Sequence, residues 1–403
     1  MDLNKLTMNK RIYLCLAHMS GKEQQYIQEA FDTNWVVPLG PNVNGFENDL
    51  QAFFRPNEVE VVALSSGTAA IHLALVSLGV QPGDEVMVQS FTFCATANPV
   101  HYIGAIPVFV DSEPHTWNMD PHLLDEAIAD RIRQTGKKPK AIIPVTLYGM
   151  PPQMDEILEI AARYDIPVIE DTAEALGSFY KGQHCGTFGQ FGVLSFNGNK
   201  MITTSGGGAL VCRDKAAKQL ASYYATQARQ PYLYYQHTDI GYNYRMSNIC
   251  AGIGRGQMTV LADHVRHHQQ VCQLYNQLLA DVAGITVHLE PSPEYDSNYW
   301  LTTITLDESL QIASDAPQQA APDAHVPNAN VMALIHRLDQ LGIETRPLWK
   351  PLHLQPVFAH CPHYTNGVSE QLFRVGLCLP SGPMVTMEDV HYIVDQIKRI
   401  VSE

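Results

Sequence analysis

EVEVVALSSGTAAIHLAL, residues 58–75, decides the fold. Its first seven residues are largely apolar and rich in valine, Ser65–Thr68 interrupt them with small polar residues, and Ala69–Leu75 is a helix-forming run. A short strand that turns through small polar residues into a helix is half of a βα unit. The order repeats downstream. EVMVQS (85–90) leads to a helix near Phe93, IPVFV (106–110) leads to one near Asp120, and AIIPV (141–145) and IPVIE (166–170) continue the series. Strands that are apolar along their whole length suit a mainly parallel sheet covered by helices on both faces. In such a sheet, functional side chains gather at the C-terminal ends of the strands.

After residue 190 the pattern changes. FGVLSF (191–196) and GGALVC (207–212) flank a polar loop containing Gly206, Gly207 and Gly208, and helical patterns follow over 214–228 and 246–283. A chain of 403 residues exceeds the usual size of one domain. The expected division is a large domain over 1–255, whose N-terminal segment lies near the substrate, and a smaller α+β domain over 256–403. DAPQQAAPDAHVPNAN (315–330) lacks hydrophobic periodicity and reads as a mobile surface insertion.

Composition narrows the function. Hydrophobic residues make up 45% of the chain and charged residues 17%, as in compact globular proteins. A net charge of −15 without clustered Lys and Arg argues against a nucleic-acid partner. The eight cysteines show no CxxC pair and are expected to be reduced. No run approaches the roughly 20 apolar residues of a membrane span, so neither a membrane partner nor an N-terminal anchor in MDLNKLTMNKRIYLCLA is expected. The expected compartment is the cytoplasm.

Three places carry candidate chemistry. Gly67 and Thr68 open a helix whose first amides are free to bind an anion, although a hydroxyl here also serves as an ordinary cap. At the end of IPVIE, the adjacent acids Glu170 and Asp171 face opposite sides of a strand, which lets Asp171 face a crevice, with a carboxylate capping the next turn as the competing reading. SFNGNK (195–200) ends a strand with Ser195 and places Lys200 in the following loop. An amine nucleophile, a hydroxyl, a strand-end carboxylate and a phosphate-binding helix start together suit an aldehyde cofactor that bears a phosphate and a basic ring nitrogen.

SSGTAAIHLAL (65–75), SFTFCATANPV (90–100), EDTAEALGS (170–178), SFNGNKMITTSGGGALV (195–211) and GYNYRMSN (241–248) resemble, in order, the motifs of DegT/StrS-type sugar-nucleotide aminotransferases. The resemblance runs from about Met19 to the C-terminus. It implies an α/β, type I aminotransferase-like fold with a mainly parallel, seven-stranded sheet, and pyridoxal 5'-phosphate as cofactor. On it, Lys200 matches the Schiff-base lysine, Asp171 the partner of the pyridine nitrogen and Phe93 the aromatic stacked on the ring. Gly67, Thr68 and Ser195 match phosphate contacts, Glu174 a polar residue near the ring hydroxyl, and Asn243 a phosphate contact from the neighbouring subunit. A homodimer with shared sites is therefore implied, with an amino-acid donor, L-glutamate by analogy, and a nucleotide-sugar acceptor. Members with histidine in place of the lysine catalyse dehydration or deoxygenation, so Lys200 favours amine transfer.

Residues 17–47 and ETRPLWKPLHLQPVF (344–358) resemble substrate-proximal segments of members acting on UDP-linked 4-keto-6-deoxy-N-acetyl sugars, as in bacillosamine-type pathways of cell-surface glycan synthesis. They place Pro38, Leu39, Gly40, Pro41 and His353 near the sugar nucleotide. A turn at 38–41 and a core histidine at 353 are the competing readings. GDP- or dTDP-linked keto sugars are the alternative substrates, and a non-catalytic regulator on the same fold is the alternative class. The segment before GLCLPSG (376–382) lacks the Glu-Arg pair that the family resemblance leads one to expect. No metal site is expected. His264, His267 and His268 read as a solvated helix face, HCPH (360–363) is interrupted by proline, and AGIGRGQ (251–257) follows no strand, so its glycines serve helix packing.

Overall fold

The computed structural model describes residues 11–313 and 325–403. Most of the expected insertion, residues 315–324, lies outside them, as does the start of the chain. Ala329 and Asn330, its last residues, already belong to a helix capped by Asn328.

Two helices, α1 (Glu23–Asp32) and α2 (Pro41–Phe53), open the described chain. The βα series follows as β1 (Glu60–Leu64), α3 (Gly67–Ser77), β2 (Glu85–Gln89), α4 (Asn98–Tyr102), β3 (Ile106–Val110), α5 (Pro121–Thr135), β4 (Ala141–Ile143), α6 (Met154–Tyr164) and β5 (Ile169–Asp171). A small hairpin, β6 (Phe179–Tyr180) and β7 (Gln183–His184), precedes β8 (Phe191–Ser195) and β9 (Gly208–Cys212). Helices α7 (Lys215–Ala225), α8 (Asn248–Met258) and α9 (Leu261–Leu279) come next. The remainder comprises β10 (Ile285–Val287), β11 (Tyr295–Asp296), β12 (Thr302–Leu306), α10 (Ala329–Gln340), β13 (Arg346–Pro347), β14 (His363–Tyr364), α11 (Val368–Val375), β15 (Gly376–Leu379) and α12 (Met387–Ser402).

The main sheet forms in two halves, β1-β9-β8-β5 and β4-β2-β3-β14, joined by parallel bridges from Ile142 to Val168 and from Val145 to Asp171. Seven strands thus run side by side, and β14 extends one edge. Only β9 opposes its neighbours; the other pairings are parallel. The two-residue period of a strand explains the apolar runs. Val86 and Val88 of β2 pack with α3, while Met87 between them packs with α5 and α6. Likewise, Val62 and Leu64 of β1 face α3, and Val61 and Ala63 face Phe46 and Leu50 of α2.

A second, antiparallel sheet, β10-β12-β15-β13, packs against α9, α10 and α12 around Tyr275, Ile304, Leu334, Leu377 and Ile397. The 246–283 pattern is two helices, α8 and α9, rather than one. Close packing explains the glycines of α8: a Cβ at Gly252 would lie 3.1 Å from Tyr26 Cβ, and one at Gly256 would lie 2.8 Å from the Glu23 amide. The expected solvated histidine face is corrected. His264 and His268 are buried because α9 lies between the loop at Met201 and the second sheet; their Nδ1 atoms sit 3.1 Å from the Met201 carbonyl and 3.2 Å from the Tyr299 carbonyl. In place of the missing Glu-Arg pair, Arg374 pairs with Glu308 and Glu370 reaches His353.

Candidate active site

The C-terminal ends of β5 and β8 and the N-terminus of α3 open on one cavity of ≈ 430 Å³. Strand β5 delivers two acids to opposite faces. Glu170 turns away from the cavity and accepts hydrogen bonds from the amides of Gly186, Phe188 and Gly189 at 2.7–2.8 Å. Burial pushes its carboxyl up to about 7 despite those donors. Asp171 faces the cavity; its Oδ2 accepts from the Thr96 hydroxyl at 2.7 Å and its Oδ1 from the Ala173 amide at 3.2 Å. Burial raises its pKa, and Thr96, Ala173 and the charge of Lys200 pull it back down. Asp171 is thus a buried carboxylate built to meet a cation.

Opposite it, the loop after β8 brings in Lys200. Its Nζ lies 3.3 Å from Glu174 Oε1 and 4.0 Å from the centre of the Trp300 ring, so a carboxylate and an aromatic face both hold the ammonium. The Trp300 indole N–H donates to the Asn199 carbonyl at 2.6 Å and pins the lysine's loop. The other oxygen of Glu174 accepts from the Tyr148 amide at 2.7 Å. Burial raises the Glu174 pKa, with Lys200 the main opposing influence.

Helix α3 supplies the anion end. Ser66 caps it by accepting from the Ala69 amide at 3.0 Å, which leaves the first two amides, Gly67 and Thr68, without intrahelical partners on the cavity wall. Ser195 stands beside Gly67 on the same wall. The glycine run after Lys200 makes this approach possible: a Cβ on Gly208 would lie 2.3 Å from the backbone of Ser66, so only glycine lets β9 pass under the helix start.

Of the residues singled out from sequence, Lys200, Asp171, Glu174, Gly67, Thr68, Phe93 and Ser195 line this cavity. Phe93 is 51% exposed, and its ring centre lies 5.2 Å from that of Trp349. The others lie elsewhere. Asn243 is exposed and does not line its own chain's cavity. Pro38, Leu39, Gly40 and Pro41 form the entry to α2, where Gly40 has φ 139° and packs on Asn248. The helix start therefore accounts for this proline-glycine segment.

His353 also lies outside this cavity. It is only 8% exposed, and its Nδ1 lies 2.6 Å from the Ser90 hydroxyl and its Nε2 3.2 Å from Glu370. Sequence reasoning missed Thr96, Trp300 and Trp349. Thr96 had a signal, a hydroxyl three residues after Phe93 in the quoted motif. Trp349 lies within the quoted 344–358 segment, whereas Trp300 comes from a segment that carried no signal.

These groups fit pyridoxal phosphate. An amine faces a buried carboxylate across the cavity, and two helix-terminal amides with hydroxyls nearby offer a phosphate cradle. The profile of the DegT/DnrJ/EryC1/StrS aminotransferase family matches residues 17–398. The chain belongs to this family. As a DegT/DnrJ/EryC1/StrS member it is a sugar aminotransferase that uses pyridoxal phosphate.

EpsN of Bacillus subtilis (strain 168) is 48% identical over 395 residues, covering 96% of this chain and 95% of EpsN. The GDP-perosamine synthase of Escherichia coli O157:H7 is 36% identical over 389 residues, covering 96% and 97%. A crystal structure of a family member from Brucella abortus superimposes with a TM-score of 0.84 at 29% identity, covering 95% and 96%. The family expectation thus stands, whereas its narrowing to UDP-linked, bacillosamine-type substrates does not follow from these relatives.

Proposed function

We propose that the chain transfers an amino group, from L-glutamate by family analogy, to the C4 keto group of a nucleotide-linked sugar in the cytoplasm, for glycan biosynthesis. The observation that carries this reading is the meeting of Lys200, Asp171 and the open start of α3 in one cavity. When bound, pyridoxal phosphate supplies a carbonyl that carries the amino group and a ring that accepts electrons. Gly67, Thr68 and Ser195 would hold the phosphate. Asp171 would pair with a protonated ring nitrogen, and Phe93 would pack against the ring. Lys200 Nζ would hold the cofactor covalently and, once freed by a donor amine, would serve as the base that takes the proton from the donor's α-carbon and delivers it to the cofactor's former aldehyde carbon. Glu174, held by the Tyr148 amide, fixes the position of Lys200 Nζ. Trp300 and Trp349 shield this transfer from water.

Two nucleotides are supported by different observations. Residues 17–47 and 344–358 resemble the substrate-proximal segments of members that use UDP-linked 4-keto-6-deoxy-N-acetyl sugars, whereas the 36% identical relative is a GDP-perosamine synthase. The pyridoxamine form, mixed with UDP-, GDP- and dTDP-linked keto sugars in turn, decides between them. One nucleotide class is expected to restore the lysine-bound cofactor absorbance at least ~100-fold faster than the others, in line with a site built around polar contacts. Equal and negligible rates with all three classes would overturn the keto-sugar reading.

The proposed assembly is a homodimer with shared sites. Asn243 is exposed and lies apart from its own cavity, and the neighbouring Leu233, Tyr234, Tyr235 and Ile240 present a large apolar surface to solvent. If Asn243 completes the partner's phosphate site, Asn243→Asp puts a negative charge beside that phosphate and should weaken activity at least tenfold. A purified hybrid of one Lys200→Ala subunit and one Asn243→Asp subunit then contains one intact site. It is expected to show about half the wild-type activity per dimer, although each parent homodimer is nearly inactive. A hybrid as inactive as its parents rules out sharing.

A further inference from the structure

Away from the cofactor cavity, the end of α4 and the segment before β14 bring three metal-binding side chains together. Ring nitrogens of His101 and His360 and the sulfur of Cys361 all lie within 4.8 Å of one another, with His101 Nε2 3.9 Å from Cys361 Sγ. Two ligands bonded to a tetrahedral zinc, at about 2.3 Å for sulfur and 2.0–2.1 Å for nitrogen, stand ~3.6 Å apart, so the cluster needs only a small contraction. His101 is oriented by stacking on Phe358, 5.5 Å between centres and 5° from parallel. Cys361 is held in place by its amide, which donates to the Phe358 carbonyl at 2.9 Å, and by its burial.

The adjacent His360 and Cys361 were set aside in the sequence because Pro362 interrupts the run and no second ligand pair follows it. The third ligand comes from 259 residues earlier, since α4 leads into β3 and β14 pairs beside β3.

We propose that His101, His360 and Cys361 form a binding site for a zinc-type divalent cation, with water in the fourth position. Two imidazoles and a thiolate suit a borderline-soft cation and disfavour magnesium or calcium. Binding replaces the thiol's S–H bond with a sulfur–metal bond, and the proton goes to solvent. The ion would tie α4, which directly follows the turn bearing Phe93 and Thr96, to the segment that ends in β14.

The test uses the full-length holoenzyme, stripped of metal and titrated with Co²⁺ as a spectroscopic probe. Expected are a sulfur-to-cobalt charge-transfer band and visible ligand-field bands that saturate at one ion per chain, with Zn²⁺ displacing the cobalt. Cys361→Ser removes the charge-transfer band, and His101→Ala or His360→Ala weakens binding at least tenfold. Cys250→Ser, a substitution at a distant free cysteine, leaves the spectrum unchanged. His360 is exposed, so its variant folds even if the Cys361 variant does not. Absence of the band in wild type, or its persistence in both the Cys361 and His360 variants, overturns the site.

Discussion

Lys200→Ala is expected to lower turnover by at least ~10⁴-fold, because one substitution removes both the nucleophile that holds the cofactor and the base that moves the proton. The ammonium sits beside Glu174 and over Trp300, and neither neighbour can take over either role. A carboxylate cannot form the covalent link to the cofactor, and an indole ring is neither a nucleophile nor a base. Borohydride reduction followed by peptide mass analysis should find the cofactor attached at residue 200 in wild type and at no lysine in the variant. Lys200→Arg sharpens the test: it keeps a positive charge beside Glu174 and over Trp300 but cannot form the covalent link. An equal loss in the arginine variant assigns the effect to bond formation and proton transfer rather than to electrostatics. Wild-type turnover in the alanine variant would overturn the assignment of Lys200.

Why Lys200 was legible and Trp300 was not follows from how each is positioned. The strand-to-helix series could be read because each unit is local. An apolar run, a small-residue break and a helix follow one another within about 20 residues, and every strand end inherits a place on the same sheet edge. Asp171, Ser195 and the start of α3 are strand-end or helix-start residues, so sequence position alone put them near one another. Lys200 sits five residues beyond such an end. Trp300 and Trp349 reach the cavity from the β11–β12 connection and from the stretch after β13, and their placement depends on how the second sheet docks, which no local pattern encodes.

His353 was placed by packing that no local pattern shows. Its neighbourhood resembled a substrate segment, but tertiary packing gave both ring nitrogens to Ser90 and Glu370. The expectation for the histidines of α9 failed because a helix covered on two sides has no solvated face where one would be expected.

Asp171→Asn is expected to lower turnover by about 10³-fold, equivalent to about 4 kcal/mol of transition-state stabilisation. Asparagine keeps the size, and its single amide oxygen can still accept from Ala173 while its NH2 donates to the Thr96 hydroxyl, but it carries no charge to hold a proton on the ring nitrogen. Folding should not suffer. Burial raises the pKa of this carboxyl, so ionised Asp171 costs stability in the cofactor-free chain at neutral pH, and that cost is absent below the ordinary carboxylate range. The cofactor-free asparagine variant should therefore melt no lower than wild type while losing activity, which separates a catalytic defect from a folding defect.

Thr96→Val supplies the pH test. The Thr96 hydroxyl bonds to Oδ2 and favours the charged carboxylate, so removing it raises the Asp171 pKa further. Activity needs the ionised form, which is lost as pH falls through that pKa. The acid limb of kcat/KM should therefore move to higher pH in Thr96→Val, with the plateau at alkaline pH retained. A limb that stays in place would mean that a group other than Asp171 sets the acid side of the profile, and the ion pair proposed for the ring nitrogen would lose its main support.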